Sequence, residues 1–304
     1  MVKEFSESEK YIRKIITDSE FIFEGEKYVA DLVAKPIVEG GGGETKTDAY
    51  IVARNTESQK TREIKITFKK PNFSFVENKI KAERAAKIYG KNWSNITQGQ
   101  NKEIKNEFQK KPLFYFEKTG RVERGSITLG WRYEMEDEGS RKLGVKIKQN
   151  IAEQVWANKN ASSKYRDGVV DKKIVPMSGV PNYYLNKNPS ELLTVDDIFP
   201  NLKPMSELFK THSNITAAFL AQNFRSHKNK QEGNKRHLAV WVVFKVENGK
   251  LDCELVFDRP LQMESGHALK NLEECLNNLG IKTWEGFTID VLSDKLCKSC
   301  RSFP

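Results

Sequence analysis

The chain has 304 residues, with 51 Lys and Arg against 41 Asp and Glu, a formal net charge of +10. Hydrophobic residues make up 38 % and charged residues 30 %, too apolar for a disordered chain and long enough to bury one elaborated core or two. The longest apolar runs, such as Leu238 to Phe244, hold about seven residues against the roughly 20 of a membrane span. Met1-Val2-Lys3-Glu4-Phe5 carries no apolar leader core, so a cytoplasmic chain with no membrane partner is expected. The basic surplus points to a polyanionic partner, nucleic acid foremost.

In chain order, Ser6 to Thr17 reads as a helix, with Ser6 as N-cap and Glu9 at the capping-box spacing. A second helix is expected from Glu26 to Ala34, where Tyr28, Val29, Leu32 and Val33 follow a 3.6-residue period. The glycines Gly40 to Gly43 form a loop. Two strands follow, Asp48 to Arg54 and Arg62 to Phe68, joined by the polar turn Asn55 to Lys60. Val76 to Tyr89 reads as a helix closed by Gly90. Farther on, Ser126 to Met135 and Lys142 to Lys148 alternate like a strand pair about Glu136 to Ser140, and Gln149 to Ala157 reads as a short helix. His237 to Val246 and Leu251 to Phe257 flank Asn248-Gly249, a strong hairpin signal. Leu272 to Leu279 reads as a helix. The fold class expected is α/β (α+β), a mixed central sheet flanked by helices with additional β-rich recognition elements, either as one domain or divided near residue 90 into a helix-hairpin-helix part of the core (1–90) and a stretch with the rest of the core and the recognition elements (91–304).

One local pattern carries chemistry. Asp48 stands at the mouth of the first strand, fifteen residues before Glu63-Ile64-Lys65 in the second. Period-two alternation puts Glu63 and Lys65 on one strand face, where a hairpin partner can bring Asp48 towards them. Two carboxylates and an ammonium at a sheet edge suit Mg²⁺, which takes one or two carboxylates plus phosphate and water. Such an ion activates water and neutralises a phosphate under attack, with Lys65 orienting the water or stabilising the phosphorane.

Lys46-Thr47-Asp48 followed by Glu63-Ile64-Lys65 resembles the PD-(D/E)xK nuclease motif, in particular that of the type II restriction endonucleases. The likeness covers Gly25 to Gly90 and departs at Thr47, where the family name expects Pro. It implies Mg²⁺-dependent cleavage of double-stranded DNA to a 5′-phosphate and a 3′-hydroxyl, with Asp48, Glu63 and Lys65 catalytic and Asp48 and Glu63 on the metal. Many members add a Glu before the first catalytic strand; Gly25-Glu26-Lys27 is similar to that segment, which makes Glu26 the candidate third ligand and Glu44 its competitor. A palindromic target would favour a homodimer. The alternatives are a structure-selective repair or phage nuclease of the same superfamily and a non-catalytic basic DNA-binding protein.

Two basic stretches are candidate DNA contacts. Lys81, Arg84 and Lys87 recur every three residues on the helix after the motif, forming either a phosphate-tracking face or a solvated one. Asn223 to His237 gathers Arg225, Lys228, Lys230, Lys235 and Arg236 against Glu232, suited to phosphates and base edges or simply to a solvated hairpin loop. Weaker candidates are Lys159 to Arg166, with Lys164, Tyr165 and Arg166, and Ser178 to Tyr184, whose adjacent tyrosines Tyr183 and Tyr184 either stack on bases or cap a core, the core being favoured. His212, His227, His237 and His267 lack metal-helix spacing. Cys297-Lys-Ser-Cys300 is a lone CxxC, which with Cys253 and Cys275 has the four thiolates of a zinc site but not the paired knuckles. No Walker-type phosphate loop occurs.

Overall fold

The computed structural model describes residues 2–41, 43–71, 75–137, 143–148, 151–225, 235–282 and 287–301. The chain divides into two compact units, Met1–Val76 with Gln149–Ser213 and Glu77–Lys148 with Asn214–Pro304. This replaces the expected boundary near residue 90: each unit is assembled from two separated stretches, because Tyr183–Asn186 joins the sheet built by the N-terminal strands.

In the first unit a helix α1 (Val2–Ile16) precedes strands β1 (Glu20–Phe23), β2 (Glu26–Ala34), β3 (Ala49–Asn55) and β4 (Thr61–Lys69). The helix starts at Val2, ahead of the start expected at Ser6, which places Glu9 in its interior. Strands β1 to β4 pair antiparallel in sequence order. Tyr183–Asn186 then adds parallel to β4, and Lys203–Pro204 closes the edge antiparallel to it. The architecture is mixed α/β. One sheet face carries Ala49, Ile51, Ala53, Ile64, Ile66 and Phe68, all nearly solvent-free, and α1 covers it with Ile12 and Ile16. Each fully buried Ile contributes roughly 1.5–3 kcal/mol. Phe199 stacks on Phe21 with centroids 3.5 Å apart and planes within 1°.

The stretch Glu26–Ala34 is a strand, not the expected helix. Two local features decide it. Glu24 (φ 51°) and Gly25 (φ 83°) are both left-handed, as the type I′ turn of a two-residue hairpin requires, and they fold β1 back onto β2 with Phe23 opposite Glu26. A bulge between Ala30 and Leu32 then shifts the register against β3. Core residues therefore fall at Tyr28 and Ala30 before the bulge and at Val33 after it, a spacing that imitates a helical period. In the same way the helix expected over Val76 to Tyr89 is shorter: Phe75–Glu77 is strand and the helix runs Ala82–Tyr89.

In the second unit the main sheet path runs Lys250–Val256, His237–Glu247, Ser126–Asp137, Ile215–Arg225 and Gly144–Lys146. Asn248 (φ 52°) and Gly249 (φ 70°) make the expected hairpin turn. The strand pair expected between Ser126 to Met135 and Lys142 to Lys148 is split: Ile215–Arg225 inserts between them and pairs with both. Ser126–Asp137 is buried on both faces. One face carries Ile127, Leu129, Trp131, Tyr133 and Met135; the other carries Ser126, Thr128, Glu134 and Glu136. Near the C-terminus Cys253 is joined to Cys300, and Cys275 is buried with its thiol on the Phe244 carbonyl. Two of the four thiols are thus used up, so the four-thiolate zinc reading does not describe this fold.

The Glu24-Gly25 turn carries a test. Nothing approaches a Cβ built on Gly25 within 4 Å, so Gly25→Ala pays only for its left-handed backbone, about 1–2 kcal/mol. Urea unfolding is expected to show a midpoint lowered accordingly, and an unchanged midpoint would remove the turn as the determinant of β2.

Candidate active site

The pairing of β3 with β4 decides which charged groups meet. Ala49 lies opposite Ile66, Tyr50 opposite Lys65, and Val52 opposite Glu63. Partners in an antiparallel pair share a face, so Tyr50, Val52, Glu63 and Lys65 all stand on the side away from the α1 core. Asp48 precedes β3 and sits beside Thr67: its backbone N–H donates to the Ile66 carbonyl at 2.8 Å. Its carboxylate Oδ2 accepts the Phe68 N–H at 2.8 Å and the Thr67 hydroxyl at 3.3 Å.

Three separate segments converge on Asp48. Arg13 of α1 donates to its carbonyl at 2.6 Å. Lys35, just past β2, places its ammonium 3.9 Å from Asp48 Oδ1 and 2.6 Å from Glu9 Oε2. Side-chain exposures of 24 % for Lys35, 13 % for Glu9 and 15 % for Asp48 make this a largely desolvated group. Burial, then the Asp48 charge, push the Glu9 carboxyl above its usual range, against the lowering effect of Lys35. Burial acts to lower the Lys35 ammonium, but the hydrogen bond it donates to Glu9 and the charges of Glu9, Asp48 and Glu44 outweigh it and hold it up. Lys35 stands between two carboxylates, where a cation is electrostatically required.

Glu63 and Lys65 form a second group. Glu63 Oε1 accepts the Tyr50 hydroxyl at 2.6 Å, and Glu63 Oε2 lies 3.7 Å from the Lys65 ammonium. Burial first and Glu63 second raise the Tyr50 phenol. Lys65 Nζ also donates to the Met177 carbonyl at 3.2 Å. Asn182 clamps this part of β4: its Oδ1 accepts the Lys65 N–H at 2.7 Å and its Nδ2 donates to the Glu63 carbonyl at 3.3 Å.

The register separates the two expected metal ligands. Glu63 is four positions along β4 from Thr67, the neighbour of Asp48, or about 13 Å at roughly 3.4 Å per residue. One Mg²⁺ with ligands at about 2.0–2.1 Å needs its oxygens within roughly 4 Å of each other. Asp48 and Glu63 therefore do not meet around one ion, which corrects the convergence expected from spacing; the hairpin turn Asn55 to Lys60 sets this register. Lys65 is nearer, two positions from Thr67, and Lys69 lies two positions beyond Thr67 on the same face. Glu26 is at the opposite end of the sheet. Its carboxylate accepts the Tyr28 hydroxyl at 2.6 Å and an N–H of Asn55 Nδ2 at 3.1 Å, and Asn55 ends the strand that Asp48 precedes. Glu26 is thus roughly 20 Å from Asp48, because it follows a hairpin turn instead of starting a helix.

What sequence reasoning missed was Glu9 and Lys35. Glu9 stands at the capping-box spacing from Ser6, and Lys35 belongs to no motif. A signal existed for Glu9: it lies one turn before Ile12 and Arg13, on a helix that packs against the motif strands. Glu44, the competitor to Glu26, does act electrostatically on both Glu9 and Lys35.

The expected DNA contacts fare unevenly. Arg84 is held by Glu77 through bonds of 3.1 and 2.9 Å, so it does not offer a free guanidinium. Lys81 is exposed just before its helix, and Lys87 is partly buried on it. Arg225 ends a strand, Lys235 is exposed, and Arg236 is backbone-bonded to Ser265; Lys228 and Lys230 lie outside the described residues. Tyr183 and Tyr184 are buried in their sheet, the core reading. Among the described residues no cluster of three or more His, Cys, Asp or Glu side chains is poised to hold a metal, and no helix is long and apolar enough to cross a membrane.

The triad yields a pH test. Lys35→Met leaves Glu9 and Asp48 facing each other without a counter-charge. At pH 7 the expected loss is roughly 1–2 kcal/mol, below the 3–5 of a fully buried pair because water reaches the rim. Glu9 has a folded-state pKa above its unfolded one, so its contribution is present at low pH and lost as pH rises through the folded value. The variant raises that pKa further; its deficit, read by thermal melts, therefore shrinks near pH 4. An equal deficit at both pH values would show that Lys35 acts by packing alone.

No protein-family model, curated protein or solved structure matches this chain.

Proposed function

We propose that this chain is a Mg²⁺-dependent DNA endonuclease similar to the type II restriction enzymes, with its metal-binding carboxylates at Asp48 and Glu9. The observation that carries the reading is the desolvated Glu9–Lys35–Asp48 group at the strand start, with lysines of β4 on either side of the Asp48 neighbour Thr67. A mixed sheet with α1 on one face and a net charge of +10 support it.

The donor chemistry fits a hard divalent ion in part. Glu9 and Asp48 supply carboxylate oxygens, and Lys35 marks the place by its own positive charge; Glu63 stands apart. When bound, Mg²⁺ would lower the pKa of water and offset charge on the phosphate. The chain's own groups do the rest. Phe68 N–H and Thr67 hydroxyl hold Asp48 Oδ2 and leave Oδ1 turned towards Lys35, so the carboxylate is pre-oriented. Lys65, steadied by Glu63 and the Met177 carbonyl, offers an ammonium to the non-bridging phosphate oxygens as charge builds on them. Water attacks phosphorus, the bond to the 3′ oxygen breaks, and that oxygen leaves with a proton as the 3′-hydroxyl. A duplex palindrome would match a two-fold dimer.

The separation of Glu63 from Asp48 favours a second reading, a basic DNA-binding protein whose charged triad only ties α1 to the sheet. Digestion of a defined DNA with Mg²⁺ separates the two. Nuclease action predicts cleavage that Asp48→Asn and Glu9→Gln each lower by at least about 100-fold, while Glu26→Gln leaves it unchanged. Discrete fragments mark sequence specificity and a smear marks structure selection. No Mg²⁺-dependent cleavage by the wild type, or full activity in Asp48→Asn, would reject the site.

A further inference from the structure

Beside the candidate site stands a small hairpin that the chemistry above does not use. Val169–Val170 and Lys173–Ile174 pair antiparallel around Asp171 (φ 44°) and Lys172 (φ 64°), a type I′ turn built without glycine. Ile37 adds a third edge: its N–H donates to the Val169 carbonyl at 3.1 Å and its carbonyl accepts the Val169 N–H at 2.8 Å. Both Ile37 and Ile174 are register partners of Val169, so the two isoleucines share one face. They are 59 % and 56 % exposed, and Met177 is 39 % exposed. At the tip Lys172 and Lys173 are exposed and pair with no carboxylate among the described residues.

The base of this hairpin is rigid. Asp167 accepts the Met177 N–H at 2.9 Å and is bound twice by Arg166, at 2.9 and 2.8 Å. Ser178 Oγ bonds both the N–H and the carbonyl of Gly168, at 2.9 and 3.1 Å. Val170 is buried. The Lys65 ammonium donates to the Met177 carbonyl, so the hairpin is tied to an amine of the candidate site.

We propose that this hairpin is a duplex-DNA reading head: it enters the major groove with Ile174 and Met177 against thymine methyl groups and Lys172 and Lys173 on the flanking phosphates. The inference rests on the nuclease reading only for the direction in which it delivers the phosphate. Three features favour DNA over a protein partner. Three apolar side chains fall far short of the roughly 800 Å² per partner that a stable protein interface buries. Lys172 and Lys173, unpaired among the described residues, outnumber the exposed Asp171 beside them and complement a polyanion. A two-stranded ribbon fits the major groove, about 12 Å wide, where the thymine methyl is the apolar feature to be read.

The test is binding of a mixed-sequence 20-base-pair duplex pool in EDTA, where no Mg²⁺-dependent cleavage occurs, followed by fluorescence anisotropy across a salt series. The double variant Lys172→Gln/Lys173→Gln should flatten the slope of log K against log salt by about 2, one phosphate per lysine. Replacing dT by dU throughout the duplex should weaken wild-type binding about fourfold for each methyl lost from contact, and the double variant Ile174→Ser/Met177→Ser should bind the two duplexes equally. An unchanged slope, or a dU effect that survives in Ile174→Ser/Met177→Ser, would overturn the proposal, as would absence of wild-type binding to the dT duplex. Full cleavage by Asp48→Asn alongside the flattened slope of the lysine variant marks a failed catalytic assignment with the reading head intact, and loss of cleavage by Asp48→Asn alongside an unchanged slope marks a failed reading head.

Discussion

The antiparallel register of β3 on β4 is the constraint from which the rest of the candidate site follows. With Ala49 opposite Ile66, the apolar residues of both strands point to α1 and the charged ones point away. A slip of one residue would bury Glu63 and Lys65 and expose Ile64 and Ile66, so burial of the isoleucines holds the charged face in place. The same register puts Thr67 and Phe68 beside Asp48, where their hydroxyl and N–H take one carboxylate oxygen. It also carries Glu63 beyond reach of that carboxylate, leaving it to Tyr50 and Lys65.

Electrostatics then divides the face into two local balances. Around Asp48, two carboxylates share one ammonium in a poorly hydrated pocket, and burial with mutual repulsion raises Glu9. The Lys35 ammonium lies 2.6 Å from Glu9 and 3.9 Å from Asp48, so it is bonded to the first carboxylate and only near the second. Around Glu63 the balance is complete: the phenol of Tyr50 and the ammonium of Lys65 take its two oxygens. This difference, more than the spacing of the motif, is the ground on which the proposed function gives the metal to Asp48 and Glu9 and the phosphate to Lys65.

The edge of β4 is finished by a segment over a hundred residues later. Asn182 uses its side-chain amide to mimic a strand residue against Glu63 and Lys65, and Tyr183–Asn186 continues the pairing in parallel. The loop before it presents Met177 to Lys65 and leads back to the Val169–Ile174 hairpin. A long excursion thus covers an edge that would otherwise offer free N–H and C=O groups, and it brings the proposed reading head and the candidate site into one unit.

Much of this was legible in the residues themselves. The strands Asp48 to Arg54 and Arg62 to Phe68, their hairpin, the Asn248-Gly249 turn and the shared face of Glu63 and Lys65 follow from period-two alternation and turn chemistry, which are local. Misread were the places where a local pattern is ambiguous or a partner is remote. One bulged residue in β2 made an alternating strand resemble a helix, and this displaced Glu26 from the site. Glu9 and Lys35 carry no motif; they reach Asp48 because hydrophobic burial of Ile12 and Ile16 fixes α1 against the sheet. The distance between Asp48 and Glu63, the insertion of Ile215–Arg225 between two expected neighbours and the closing of β4 by Asn182 were decided by tertiary pairing alone, since which strand completes another's hydrogen bonds depends on the whole buried surface and not on the residues of either strand.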